Sequence, residues 1–393
     1  MRVLISGAGI AGPALGYWLL HYGVQPTIVE RTPRLRTGGY VVDFWGCGYE
    51  VAKRMGLLPA INQTGYKVRE IRVLDRHGAT VTSFPASAFD RATHGHFVSL
   101  PRSELAAAIF ATIEGKIETI FGDSIAALQE AGSSVRVRFE HGAEREFDLV
   151  VGADGLHSNV RELAFGLESQ YEKYLGCKVA AFSVEGYQPR DELVYVMHTE
   201  VGQQVARFSM RDDRTLFLFT FADDDPDSGD TQRQKNLLRK RFANTGWECA
   251  KILEDLDSTT DFYFDRVSQI RIEGQQWSRG RVVLLGDAAS CVSLMAGEGS
   301  SLAMTAAYIL AGELHRANGD YAAAFARYQQ LFGPFVAEKQ KMALRFAGWF
   351  APPSNLSIFL RNQGMKLLKF PPLANLIVGR DLVDHLALPE YAA

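Results

Sequence analysis

Gly7-Ala8-Gly9-Ile10-Ala11-Gly12 fits the pattern G-x-G-x-x-G, and Glu30 follows the hexad by about twenty residues. In that spacing each residue type has a task. Gly7 allows a tight turn, Gly9 lets the backbone approach a pyrophosphate, and Gly12 lets a helix pack closely on a strand. The acidic residue accepts hydrogen bonds from a ribose 2′-hydroxyl. A hexad of this kind alone is often only a turn, so its surroundings decide its meaning. Val3 to Ser6 is a β-favouring run stopped by glycine, and Leu15, Leu19 and Leu20 mark an apolar helix with Pro13 in its first turn. Gln25 to Val29 reads as a second strand ending on Glu30. The parts are in register, and a dinucleotide, NAD or FAD, is the expected ligand.

Two later stretches repeat the logic of an apolar strand running into a glycine-bearing loop. Leu149 to Val151 leads into Gly152-Ala153-Asp154-Gly155, after which Ser158 opens a helix containing Arg161. Asp154-Gly155 alone is an ordinary turn; after a buried strand and before a capped helix it reads as a second ligand-facing loop at the carboxyl edge of the same sheet. Val282 to Leu285 ends in Gly286-Asp287, and a loop then reaches Gly297-Glu298-Gly299 before Ser300-Ser301 open an apolar helix. That helix turns its positive end and free N–H groups toward whatever occupies the loop. Asp287 can bind a sugar-chain hydroxyl, or cap a turn.

The elements between must hold these loops. Arg31, Arg34 and Arg36 lie in a basic, glycine-rich loop that either contacts the nucleotide or is simply solvated. Val68 to Phe84 alternates around a polar turn and is expected as a hairpin of a second domain. Arg102 precedes an expected helix, Glu104 to Ile113, with Ser103 as its cap. Val135 to Phe139 and Glu144 to Asp148 read as a further hairpin. From 174 to 223 the alternation implies an antiparallel sheet, with Phe217, Phe219 and Phe221 on one face and Leu216, Leu218 and Thr220 on the other. The aromatic face reads equally as core or as a substrate wall. His198, Gln204 and Arg207 are the polar residues of this sheet that can orient a ligand, and Phe208, Phe219 and Met295 complete the candidate substrate contacts.

The three glycine-loop blocks, in this order and spacing, resemble the fingerprints of the class A FAD-dependent monooxygenases, which have the para-hydroxybenzoate hydroxylase fold. The resemblance runs over residues 1 to about 345 and is strongest to short members such as tetracycline-inactivating and polyketide-tailoring hydroxylases. It implies an α/β fold: a Rossmann-like FAD-binding domain (1–67, 98–173 and 278–345), an inserted antiparallel-sheet substrate domain (68–97 and 174–277), and a C-terminal bridging helix within 346–393. It also implies FAD contacts from Gly7, Gly9, Ala11, Gly12, Glu30, Arg31, Arg36, Arg102, Asp154, Gly155, Asp287, Gly297, Gly299 and Ser300. NADPH or NADH would be a transient reductant. The implied reaction passes one oxygen of O₂ to an electron-rich aromatic, polyketide-like or drug-like substrate through a flavin C4a-hydroperoxide. No protein acid or base is assigned to that step. Two positions depart from the family: Ser290 stands where histidine is usual, and Leu294 where proline is usual. They keep open a flavin-dependent reductase or dehydrogenase on the same fold, and a FAD-bound protein that only sequesters a ligand.

Bulk properties narrow the setting. A net charge of −3 over 393 residues makes no electrostatic case for nucleic acid or an anionic membrane. The 4 cysteines are scattered, without metal-ligand or dithiol spacing, so no metal is expected and a reducing, cytoplasmic setting fits. No charged leader precedes the first strand. The expected partners are a small molecule and O₂, with a monomer or weak homodimer. In the tail, Ser354 to Leu368 reads as a helix, and Pro371-Pro372 precede a further stretch, Leu373 to Leu386. With Arg361, Lys366 and Lys369, this segment either packs across the two domains or lies on a membrane surface.

Overall fold

The computed structural model describes residues 1–36, 38–225, 229–259, 261–369 and 384–392, without the side chains of 275, 295 and 345–347. Its centre is a six-stranded sheet in the order Ser278–Arg279, Val282–Leu284, Leu149–Gly152, Val3–Ser6, Pro26–Glu30, Glu118–Phe121. All neighbours are parallel except the edge pair Ser278–Arg279 and Val282–Leu284. Val3–Ser6 and Leu149–Gly152 are buried throughout, which explains their unbroken apolar runs: helices cover both faces of a parallel sheet.

The helix Ala11–His21 packs against the helix Gly299–Arg316, which in turn packs on Cys47–Arg54 and on the thirty-residue helix Tyr321–Phe350. The helix after Arg102 differs from the sequence expectation. It spans Arg102–Ala111, Pro101 occupies the N-cap, and no side chain caps it, so Ser103 is inside the first turn. The proline ring holds φ at −58°, compatible with the non-helical conformation observed at the cap. The expected hairpin at 135–148 is part of a three-stranded meander, Ile125–Ala131, Ser134–Phe139 and Glu144–Phe147.

A seven-stranded sheet follows the order Tyr263–Ile270, Glu172–Glu185, Arg214–Ala222, Gln203–Ser209, Val194–Glu200, Glu70–Leu74, Thr80–Pro85. It is antiparallel except where Val194–Glu200 runs parallel to Glu70–Leu74, so the early hairpin extends a sheet built mostly from residues after 170. On one face Phe217, Phe219 and Phe221 meet Phe182, Leu238, Phe242 and Ile252 in an aromatic core. Phe242 ends the helix Thr231–Phe242, which covers that face. The fold is therefore mixed α/β, one parallel sheet joined to antiparallel ones.

The helix Asn355–Leu367 starts from a Ser354 capping box and packs on Thr80–Pro85 and Val194–Glu200. Arg361 is buried there rather than turned to a surface. The further tail stretch, 373–386, falls mostly outside the described residues; 384–392 is non-helical. Among the described residues no helix is long and apolar enough to cross a membrane, and no group of His, Cys, Asp and Glu is placed to hold a metal.

Candidate active site

Parallel pairing brings the three loops together. Ser6 lies opposite Gly152 and Val29, and Gly152 opposite Leu284. The residues that follow these strand ends, Gly7, Asp154 and Asp287, therefore emerge at one carboxyl edge beside Glu30. A cavity of about 340 Å3 opens at this edge and extends to the seven-stranded sheet.

The near end is a cradle with no room for side chains. Gly7 has φ +107°, and a Cβ there would lie 2.5 Å from the Ala153 carbonyl oxygen. A Cβ on Gly12 would lie 2.0 Å from the Gly7 carbonyl oxygen. Ile10 caps the helix Ala11–His21 without a side-chain hydrogen bond, so its first-turn N–H groups stay open to an anion beside Gly9. Glu30 accepts the Ala8 N–H at 2.7 Å and the Thr32 N–H at 3.0 Å. Burial acts to raise this carboxyl, but those bonds outweigh it and hold it below its ordinary range, a stable anion able to accept a sugar hydroxyl.

Along the middle, the Arg102 guanidinium lies over Gly9 and within electrostatic reach of Asp287. Burial raises the Asp287 carboxyl, and Arg102 counteracts it. Asp154 lines the cavity but spends its oxygens on its own loop, accepting the Ser158 hydroxyl and the Val160 N–H at 3.0 Å. Its side chain shapes the turn. At the far end Gly297, Gly299 and Ser300 line the cavity where the helix Gly299–Arg316 begins, again without a side-chain cap.

Gly7, Gly9, Ala11, Glu30, Arg36, Arg102, Asp154, Gly155, Asp287, Gly297, Gly299 and Ser300 thus surround one cavity. Gly12 sits behind it as a packing residue. Arg31 does not line it; with Glu30 turned inward, Arg31 is exposed to solvent.

The substrate candidates fare differently. Phe219 packs against Phe182 and Phe242 on the covered face of the sheet, away from the cavity. Arg207 is on that same face, paired with Asp191 at 2.6 Å and Glu248 at 2.8 Å. His198 is buried beside the Leu74 carbonyl and Glu200. Gln204 is buried between Thr199 and Arg361, and Phe208, on the same sheet face as Leu218, stacks on Tyr195 and does not line the cavity. The side chain of Met295 lies outside the described residues. The cavity is lined instead by Leu218 and Thr220, with Tyr40, Tyr263, Asp265 and Phe350. Leu218 and Thr220 were visible as one face of an alternating strand. Nothing local told the two faces apart, and Phe350 carried no signal. Asp43 was also missed: it lines the cavity, accepts the Ser99 hydroxyl, and burial pushes its carboxyl up to about 6.

Residues 1–323 match the family described as "FAD binding domain". The chain belongs to this family of FAD-dependent monooxygenases. The flavin-dependent monooxygenase of Legionella longbeachae is 32% identical over 403 residues, covering 100% of this chain and 98% of its own. The crystal structure of tetracycline destructase Tet(55) superposes with a TM-score of 0.84 at 32% identity, covering 99% and 98% of the two chains. Klebsiella pneumoniae HpxO, crystallised with FAD and uric acid, shares the fold, with a TM-score of 0.81 at 22% identity and 98% coverage of each chain. FAD is therefore the cofactor of this monooxygenase. The glycine cradle, two open helix N-termini and an ionised Glu30 suit the pyrophosphate and ribose of FAD in chemistry as well as in placement.

Proposed function

We propose that this FAD-dependent monooxygenase hydroxylates an aromatic or polyketide-like small molecule, a tetracycline-like polycycle among them, with NADPH or NADH as transient reductant. The overall change is substrate-H + O₂ + NAD(P)H + H⁺ → substrate-OH + H₂O + NAD(P)⁺. When bound, FAD would supply the redox chemistry, hydride acceptance from the nicotinamide and activation of O₂. The chain's own residues bind, orient and exclude water. The observation that carries the reading is one continuous cavity, with the Gly7–Ala11 cradle at one end and Leu218, Thr220, Tyr263 and Phe350 at the other. An apolar wall with a few hydroxyls and the Asp265 carboxylate suits a flat, largely apolar ligand bearing polar groups at its rim. The relation to tetracycline destructases supports the polycyclic class.

In this reading Gly7, Gly9 and Ala11 hold the pyrophosphate, with Gly12 behind them letting the helix pack close, Glu30 holds the adenosine ribose, and Arg36 and Arg102 the phosphates. Asp287 takes a ribityl hydroxyl, and the Gly297–Ser300 turn borders the flavin pyrimidine edge, where the helix N-terminus stabilises negative charge. The FAD-binding part is 1–67, 98–173 and 278–345, the substrate part 68–97 and 174–277, and 346–393 bridges them. The enzyme works as a monomer or weak homodimer in the cytoplasm, a setting that suits its buried free thiols Cys47, Cys177, Cys249 and Cys291.

The test is a screen of tetracyclines and small phenols for stimulated NAD(P)H oxidation, with ¹⁸O₂ labelling of the product. Labelled product in step with NAD(P)H consumption is expected. Substrate-dependent oxidation without O₂ uptake would make the chain a reductase, and ligand binding without turnover a sequestering protein.

A further inference from the structure

Gly297 and Gly299 line the cavity, but Glu298 between them does not. Its carboxylate is turned inward and accepts a hydrogen bond from Lys339 Nζ at 2.8 Å. Lys339 reaches it from the helix Tyr321–Phe350, and the same ammonium lies 2.7 Å from the Asp384 carboxylate. The three side chains are 6%, 8% and 10% exposed for Lys339, Glu298 and Asp384. Two carboxylates thus share one buried ammonium directly behind the turn.

Asp384 belongs to a stretch, 384–392, that is strapped over the helices Cys47–Arg54 and Gly299–Arg316. The Asp384 carboxylate accepts the Cys47 N–H at 2.7 Å, Arg54 donates to Glu390 at 2.8 Å, and the Tyr391 hydroxyl donates to Glu313 at 2.8 Å. The underlying surface leaves space for it. A Cβ on Gly46 would fall 2.2 Å from the Asp384 carboxylate, and one on Gly312 2.2 Å from the Tyr391 ring.

We propose that Lys339 and Asp384 are positioning residues for the flavin: the line Asp384–Lys339–Glu298 fastens the C-terminal strap to the Gly297–Gly299 turn and keeps the Glu298 carboxylate turned away from the flavin pyrimidine edge. The inference rests on the assignment of that turn to the flavin. Reduction adds negative charge to the flavin, and an uncompensated carboxylate beside it opposes that charge. Lys339 cancels the opposition, so the strap and the long helix act on redox balance without touching the cofactor.

The experiment measures FAD affinity of the reconstituted apoprotein, by flavin fluorescence, and the midpoint potential of the bound flavin. Lys339→Met is expected to weaken FAD binding about tenfold and to reduce the preference for reduced flavin about tenfold, a fall of about 30 mV for a two-electron couple. Lys339→Arg stays near the parent, and adding Glu298→Gln to Lys339→Met restores the potential. Glu298→Gln alone, which removes a buried charge, raises the potential and serves if Lys339→Met does not fold. Unchanged affinity and potential in Lys339→Met, no recovery in the double variant, or no rise in Glu298→Gln overturns the proposal. Asp287→Ala separates this from the flavin assignment. If that variant purifies with full FAD, the assignment itself fails; if it loses FAD while the Lys339 series is silent, only the positioning role fails.

Discussion

The Thr220 hydroxyl donates to the Phe350 carbonyl at 3.2 Å, and both residues line the cavity. This bond joins the seven-stranded sheet to the end of the long helix that begins at Tyr321, so this wall of the cavity has two sources far apart in the chain. It also marks which face of the strand Arg214–Ala222 borders the cavity.

Opposite faces of that strand therefore predict opposite phenotypes. Leu218→Phe fills the cavity wall; FAD content stays at the parental level while KM for the substrate rises or turnover is lost. Phe219→Leu hollows the aromatic core and costs about 1–3 kcal/mol, read as a lower denaturant midpoint, with KM unchanged. The reverse pattern would return Phe219 to the substrate wall.

Gly12→Ala is expected to yield protein without flavin. Its Cβ would lie 2.0 Å from the Gly7 carbonyl oxygen and 3.3 Å from Ile5 Cγ2, so the helix must move off the strand and the cradle opens. Flavin absorbance of the purified variant decides. Retained stoichiometric FAD would mean that the loop tolerates the shift.

Arg361 binds the tail helix to the sheet. It donates to Thr199 Oγ1 and the Trp349 carbonyl at 2.9 Å and to Gln204 Oε1 at 3.2 Å, with no carboxylate beside it among the described residues. Burial lowers its pKa to about 10. Arg361→Ala removes three hydrogen bonds that tie the tail helix to the sheet and to the end of the long helix, and should destabilise the protein by about 2 kcal/mol, with faster proteolysis of the tail. An unchanged urea midpoint would show that the helix is held by its apolar contacts alone.

His157 gives a pH signature. Hydrogen bonds to Asp265, and then to Glu168, raise its pKa from 6.5 to about 9. A base raised on folding stabilises fully below its unfolded value, and that contribution disappears as pH rises through the folded value. Because the ring is half exposed, the effect is small, about 0.5–1 kcal/mol. His157→Gln should lower the urea midpoint at about pH 6 and match the parent at about pH 10. A difference that persists at the higher pH would assign the loss to packing rather than charge.

The sequence by itself determined the glycine-loop half of the cavity. Strand runs that stop at Gly7, Gly152 and Gly286 are local signals, and parallel pairing carries local signals to a common edge, so Glu30, Asp154 and Asp287 could be named before any coordinates. Only the tertiary structure decided the other half of the cavity lining. A strand alternates with period two, and its pattern is symmetric between faces; what chose Leu218 and Thr220 over Phe219 was the helix Thr231–Phe242 packing on the other side. The same holds for polar residues. His198, Gln204 and Arg207 have side chains suited to ligands, but partners 124, 157 and 41 positions away occupy them. The Lys339 bridge from Glu298 to Asp384 is likewise invisible in one dimension, because each of its charges is compensated by residues that only folding brings near.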